Sequence, residues 1–352
     1  MQYRQIAELA YLNGAPASLV TDENTRIELL NATLTEWFST HRGMRCYLAV
    51  DPSQRDLSSG DVDEKSPPFA GLPRADVIID HDAFPESHRP YVLELDLSTS
   101  QGIMALAQST RIAFEDRRPN SMAEGLGQRT GGWLASAASL EDVAAHWSRL
   151  VLQRDDGGRV CLLRFYDSRA LALLWSVLSK EQQQALLGPV RAWHFLDATS
   201  RPSVQLASSD ARTNFILSAS QWQEIHKHGL INRALALHAR TYSRQPEPGE
   251  IEVAAAAATR ADQHRLIDRD DRVAFISHAL AWHPQFDLHP KVSQLLCSRA
   301  ANDFYTADIG QLSADEINEI RQGSWYEPLI ASASQFKTNS MDFNTTTKYG
   351  NE

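Results

Sequence analysis

Apolar residues recur at helical spacing over residues 24–38, where Ile27, Leu30, Leu34, Trp37 and Phe38 fall on one face. That spacing predicts an amphipathic helix. Gly43 ends the connection, and Cys46 to Val50 form an apolar run of strand length, broken by Asp51-Pro52. Residues 52–74 are polar and rich in Ser, Asp and Pro, which predicts a loop. Val77 to Ile79 predicts a short strand, residues 80–90 another loop, and Tyr91 to Leu95 the next strand. A short helix is predicted over residues 102–110 and an irregular, charged crossing over residues 111–129.

Residues 131–197 carry the sharpest punctuation in the chain. Trp133-Leu134 opens the stretch as a strand. Ser139 is a good helix N-cap, with Asp142 three residues on, and Leu140, Val143, Ala144, Trp147, Leu150 and Val151 then share a face. Asp155-Asp156-Gly157-Gly158 signals a turn, because glycine tolerates positive φ. Val160 to Phe165 reads as an inner strand interrupted by Arg164. Asp167 can cap the helix bearing Leu171, Leu174, Val177 and Leu178. Ser179 with Gln182 makes a capping box for a second helix, stopped by Gly188-Pro189. Val190 to Leu196 closes the stretch as a strand.

Past residue 200 the strand signals fade. Ser218 with Gln221 opens a helix carrying Trp222, Ile225, Ala234 and Leu237, and Pro246 to Gly249 reads as a linker. Ile251 to Leu266 is alanine-rich and helical. Asp270 or Asp271 starts the next helix. Pro290 suits the first turn of another, running to Ala300, and Ser313 with Glu316 caps one more. The alternation predicts an α/β fold: a mixed-sheet N-terminal lobe over residues 1–200, then an all-helical lobe over 201–336 and a flexible tail over 337–352.

Composition adds exclusions. The chain has 352 residues, 43% of them hydrophobic, enough for a sizeable core. A net charge of −10 argues against nonspecific binding to nucleic acid or anionic membrane, since both need a basic surface. The three cysteines, Cys46, Cys161 and Cys297, are far apart and form no CxxC, the pattern of reduced thiols in a cytoplasmic protein. The N-terminal stretch lacks the apolar core of a signal peptide, and no run approaches the ~20 apolar residues of a membrane span.

The candidate chemistry is thin. His278, His283 and His289 cluster in sequence, with His226 and His228 upstream. The spacing of five between His278 and His283 misses the i, i+4 register of two ligands on one helix face, so surface or capping roles are preferred and no metal or other cofactor is expected. No GxSxG occurs, and Cys46 and Cys161 lie in apolar runs that would leave their thiols inert. Gly125-Leu126-Gly127 and Gly131-Gly132 lack a phosphate-loop context and read as turns. Asp51, Glu94 and Asp96 stand near strand ends, where catalytic acids can sit. Arg164-Phe165-Tyr166-Asp167-Ser168-Arg169 joins a strand to a helix. Asp167 caps that helix on the simpler reading, and Arg164 and Arg169 either hold the turn or present guanidinium forks to a partner's carboxylates.

At these residues the sequence resembles the type VI secretion effector chaperone (adaptor) family, domain of unknown function 4123. The matching pieces are Val50-Asp51, Pro90 to Leu95, Gly132-Trp133-Leu134, His146, Arg164 to Arg169, Gly188-Pro189-Val190 and Trp193. Two residues depart from the family pattern: Ser168 stands where proline is usual, and Trp147 where an arginine follows the helix histidine. The resemblance implies a non-enzymatic cytoplasmic adaptor that binds a cognate secreted effector and helps load it onto a VgrG-type spike, with no nucleic acid or membrane partner. The residues then expected to meet a partner are Arg164, Tyr166, Asp167, Arg169 and Trp193. The main rival is a small hydrolase or effector-modifying enzyme using Asp51, Glu94 or the C-terminal histidines. A third reading is a structural component of the secretion machine.

Overall fold

The structure, a computed structural model, describes residues 22–57, 68–208, 214–300 and 303–326. The expected flexible tail, the N-terminal stretch and part of the 52–74 loop lie outside the described residues. The first helix, α1 (Glu23–Thr40), buries Ile27, Leu30, Leu34, Trp37 and Phe38, the five residues its spacing singles out.

A six-stranded sheet follows, in the order β2-β3-β1-β4-β7-β8. Its strands are β1 (Arg45–Val50), β2 (Arg74–Asp76), β3 (Tyr91–Leu95), β4 (Thr130–Ser136), β7 (Val190–Leu196) and β8 (Pro202–Leu206). Every pairing is antiparallel, which corrects the expectation of a mixed sheet. The physical reason lies in β1. Helix α2 (Ser100–Arg117) does carry the chain from β3 to β4 in the same direction, as a helical crossover should. However, β1 lies between these two strands and pairs antiparallel with both, with Cys46 opposite Leu95 on one side and Ala135 on the other.

Period-2 alternation splits the sheet residues between two cores. Cys46, Leu48, Val50, Trp133 and Ala135 meet α1 and α2 on one face. Tyr47, Ala49, Leu134, Trp193 and Phe195 meet the other face, covered by α4 (Leu140–Leu150), α5 (Ser168–Val177) and α6 (Lys180–Leu187). Central strands covered on both faces are apolar throughout, which is why they read as continuous apolar runs.

Four local expectations are corrected. Val77 and Ile79 are buried but lie outside any strand, since the edge strand β2 stops at Asp76. Helix α2 continues to Arg117, and α3 (Pro119–Ala123) follows it, where an irregular crossing was expected. The run Val160 to Phe165 is strand only over β6 (Val160–Leu162), which pairs with β5 (Leu152–Arg154) in a separate hairpin. The segment after residue 200 adds β8 at the sheet edge, through a turn closed by Asp197 N–H to the Arg201 carbonyl at 2.9 Å.

The remainder is helical: α7 (Ala219–Ile225), α8 (His228–Tyr242), α9 (Pro248–Gln263), α10 (Arg269–Ala281), α11 (Pro290–Ser298), α12 (Tyr305–Ile309) and α13 (Ala314–Gln322). The helix expected from Ser218 is two helices, α7 and α8. Pro248, expected in a linker, starts α9, and Asp268 rather than Asp270 or Asp271 caps α10. Ala254, Ala257, Ala258 and Ala261 are buried at helical spacing in α9, so neighbouring helices approach closely around Phe275 and Phe286. These helices dock on the sheet part through Met122 of α3 against Ala236 and Ala239, and through Arg233 Nη1 donating to the Ala123 carbonyl at 2.5 Å.

Candidate functional site

The strongest sequence motif, Arg164 to Arg169, forms the turn from the β5–β6 hairpin into α5. Its apolar members point inward. Phe165 meets Trp147 edge to face at 5.3 Å, and Trp147 stacks on Trp193 at 5.0 Å. Tyr166 is 1% exposed. A Cβ at Gly131 would lie 2.0 Å from the Tyr166 carbonyl oxygen, so β4 passes this turn with no room for a side chain. Trp193 is 0% exposed and donates from Nε1 to the Gly131 carbonyl at 3.0 Å. Gly131 and Gly132 thus sit inside β4 and serve close packing, a correction to their reading as turn residues.

The charged members lie at the surface end of this packing. Asp167 caps α5: its Oδ1 accepts from the Arg169 backbone N–H at 3.0 Å. The same carboxylate receives Arg169 Nε at 3.1 Å and Nη2 at 2.8 Å. Burial alone would raise the Asp167 carboxyl, but the Arg169 and Arg164 guanidinium groups outweigh it and hold the carboxyl well below its usual range. Arg164 reaches the other way, across the sheet end. Its Nη2 donates to Asp51 Oδ2 at 2.7 Å, and Asp51 Oδ1 accepts the Ser53 backbone N–H at 3.0 Å. Burial alone would lower the Arg164 pKa; Asp167 and Asp51 raise it, so the charge is secured.

Behind this turn, the buried Arg117 explains the Ser168 departure. Arg117 Nη2 donates to Ser168 Oγ at 3.1 Å and to the Leu196 carbonyl at 2.8 Å. Ser168 Oγ in turn donates a hydrogen bond to Gln128 Oε1 at 3.2 Å. Burial pushes Arg117 down to about 10, still charged at neutral pH. A proline at this first helical position fits the backbone but supplies none of these bonds.

The other motif pieces also meet. His146 Nε2 lies 3.1 Å from the Leu186 carbonyl, and its ring fills the space beside Gly188, whose φ is +55°. A Cβ at Gly188 would lie 2.2 Å from His146 Nε2.

Of the five residues expected to meet a partner, Tyr166 and Trp193 therefore have almost no exposed surface. Their contribution is to hold the turn. Among the three charged residues, the Arg164 side chain is the most exposed at 39%, with Arg169 at 18% and Asp167 at 7%.

Asp51 does not converge with the other two candidate acids. Asp51 follows Val50, which pairs with Tyr91, whereas Glu94 and Asp96 lie at the far end of β3. There they border a cleft of about 540 Å³ whose walls include Phe38, Arg42, Arg45 and Ile103. Cys46 is buried, and burial raises its thiol pKa far above the usual range. Cys161 is half-buried, and burial and the Asp155 carboxylate push its thiol up. Of the C-terminal histidines, His283 and His289 share a neighbour, the Trp325 ring, while His278 stacks on Trp282. His278 Nδ1 lies 2.6 Å from the Tyr305 hydroxyl, His283 packs on Trp325, and His289 Nε2 lies 3.6 Å from Glu319. Among the described residues, no helix is long and apolar enough to cross a membrane.

Residues 86–185 match the family model described as Domain of unknown function (DUF4123), a family generally associated with type VI secretion effector adaptors. The match covers less than a third of the chain and includes His146 and the whole Arg164–Arg169 turn. No curated protein and no solved structure matches the chain.

Proposed function

We propose that the chain is a type VI secretion adaptor. It binds a cognate secreted effector in the cytoplasm and helps load it onto a VgrG-type spike, without catalysis of its own. The observation that carries this reading is the DUF4123 match over residues 86–185, which contains the Arg164–Arg169 turn. The site geometry supports it: the turn is a rigid, charge-satisfied feature with one half-exposed guanidinium, and Asp51, which it holds, lies at the opposite end of β3 from Glu94 and Asp96. On this reading the lobe of residues 1–200, extended by the edge strand β8, recognises the effector or spike, and the helices that follow complete the binding surface. Arg164 is the partner-facing residue of the turn, with Asp167 and Arg169 fixing its backbone. Handover requires release, so the interface is of moderate affinity rather than obligate.

The test is co-expression with the effector and spike proteins encoded beside this chain, followed by affinity capture. Capture of the effector by the wild-type chain, weakened by Arg164→Glu with the fold retained, supports the reading. Capture of neither protein sinks it.

A further inference from the structure

The turn of the β5–β6 hairpin and the junction between α7 and α8 bring three different donor side chains together. Asp155 Oδ2 lies 3.5 Å from His226 Nε2 and 3.8 Å from Cys161 Sγ. All three ligand atoms lie within 4.8 Å of one another. A tetrahedral zinc ion with bonds of about 2.0–2.3 Å keeps its ligand atoms roughly 3.3–3.7 Å apart. The 3.5 Å and 3.8 Å separations are close to that spacing, so a small side-chain adjustment would close the set.

Each donor is held by its surroundings. Asp155 is a buried side chain whose backbone closes the turn, with its N–H to the Arg159 carbonyl at 3.0 Å and its carbonyl accepting from Gly158 N–H at 2.9 Å. Its Oδ1 accepts the Arg159 backbone N–H at 2.9 Å, which aims Oδ2 at the other two donors. Cys161 sits on β6 opposite Gln153. His226 ends α7 with its ring stacked on Trp222 at 5.6 Å.

We propose that Asp155, Cys161 and His226 form a zinc(II) site that ties the β5–β6 hairpin to the α7–α8 junction. A thiolate, an imidazole and a single carboxylate suit a borderline cation such as zinc and disfavour magnesium or calcium, which prefer oxygen ligands. His226 is 41% exposed, so a fourth position is open to a water molecule. Arg159 is the competitor: its Nε donates to the same Asp155 Oδ2 at 2.8 Å. Its side chain is 75% exposed and free to swing into solvent as the metal enters. Binding takes the Cys161 thiol to a thiolate, its proton passing to solvent.

The experiment uses the full-length protein stripped with a chelator and titrated with cobalt(II) as a spectroscopic stand-in, then with zinc(II) in competition. The expected result is a near-ultraviolet thiolate-to-cobalt charge-transfer band, displaced by zinc, together with a higher melting temperature in zinc. The band should vanish in Cys161→Ser and persist in Cys297→Ser, because Cys297 is exposed elsewhere on the molecule. His226→Ala should weaken metal binding by more than about tenfold. Arg159→Ala should bind metal more tightly, since it removes the competing cation, an effect that a purely structural turn would not produce. Metal-free melting of each variant separates loss of ligation from loss of fold. Absence of the band in the wild type, its survival in Cys161→Ser, unchanged affinity in His226→Ala, or weaker binding in Arg159→Ala overturns the assignment.

Discussion

Arg164 Nη2 donates to Asp51 Oδ2 at 2.7 Å, joining residues 113 positions apart across the end of the sheet. The two partners differ in their surroundings. The Asp51 side chain is 2% exposed and that of Arg164 39%. Losing the arginine strands a buried carboxylate with the Ser53 N–H still in place, whereas losing the aspartate returns Arg164 to water and to Asp167, 4.0 Å away. Arg164→Ala should therefore destabilise by roughly 1–3 kcal/mol, about the desolvation cost of an unpaired buried group. Asp51→Ala should cost less. Chemical denaturation of both single variants and the double variant gives the coupling directly. Equal costs for the two single changes would contradict the asymmetry.

Gly131 and Gly188 predict a graded pair of failures. At Gly131 a new Cβ meets the Tyr166 backbone, which cannot move without dismantling the turn into α5. At Gly188 the obstacle is the His146 side chain, which can rotate away, so the backbone strain at φ +55° is the lasting penalty. Gly131→Ala should lower the melting temperature more than Gly188→Ala. His146→Ala should recover part of the loss in the Gly188→Ala background and none of it in the Gly131→Ala background. Expression yield and thermal melting of the four variants check this ordering.

What the sequence discloses about this fold is local chemistry. The caps at Ser139, Asp167, Ser179, Ser218 and Ser313 all form hydrogen bonds where the residue types suggest, because an N-cap is settled within four residues. The signals that fail depend on distant partners. Helix α2 looks broken past Thr110 because Arg117 reads as a surface charge, yet Ser168 and Leu196, 51 and 79 residues away, provide its acceptors. Strand β8 begins at a proline and is half-exposed, which an edge strand tolerates and an alternation test misses. The site follows the same division. The Asp167 cap is legible from its neighbours, but the Asp51 contact is not. Nor does spacing bring His226 to Asp155 and Cys161, since a hairpin and a helix junction set that meeting.

Acid should weaken this protein in two stages. Burial lowers His194, His228 and His278 from the ordinary 6.5 to about 4 each, so the folded state keeps these imidazoles neutral. Between about 6.5 and 4 the unfolded chain binds more protons than the folded one, and stability falls as pH falls. Below about 4 the histidine contribution levels off. There Asp167, held below its usual range, and Glu250, at about 2, take over, because their carboxylates are worth most when ionised. For His194 alone the effect is on the order of 3 kcal/mol, a tenfold change in proton affinity being about 1.4 kcal/mol. His194 packs its ring against Trp37 at 5.1 Å, and among the described residues its buried Nε2 has no hydrogen-bond partner. His194→Phe should keep the packing and make the pH dependence between 6.5 and 4 shallower, leaving the His228 and His278 contributions. A variant with the wild-type slope would remove His194 from this account.

Ser168 offers the clearest test of how this chain departs from the family pattern. Its hydroxyl accepts from Arg117 and donates to Gln128, all inside the protein. Proline at the first helical position is conformationally favourable, and Asp167 would still cap α5. Conformation therefore favours Ser168→Pro, while the Arg117 contact opposes it. Among the described residues, Arg117 also has a buried Nε without a partner and keeps only the Leu196 carbonyl as side-chain acceptor once the hydroxyl is gone. The unpaired guanidinium should dominate, since an uncompensated buried donor costs about 1–3 kcal/mol and a favourable proline contributes less than about 1 kcal/mol. Ser168→Pro and Ser168→Ala should both be less stable than wild type, with proline the milder of the two. In an Arg117→Met background the order against wild-type serine should reverse, and Ser168→Pro should become stabilising. Melting curves of these variants decide it: if Ser168→Pro stabilises the wild-type chain, the Arg117 contact is not what retains serine here.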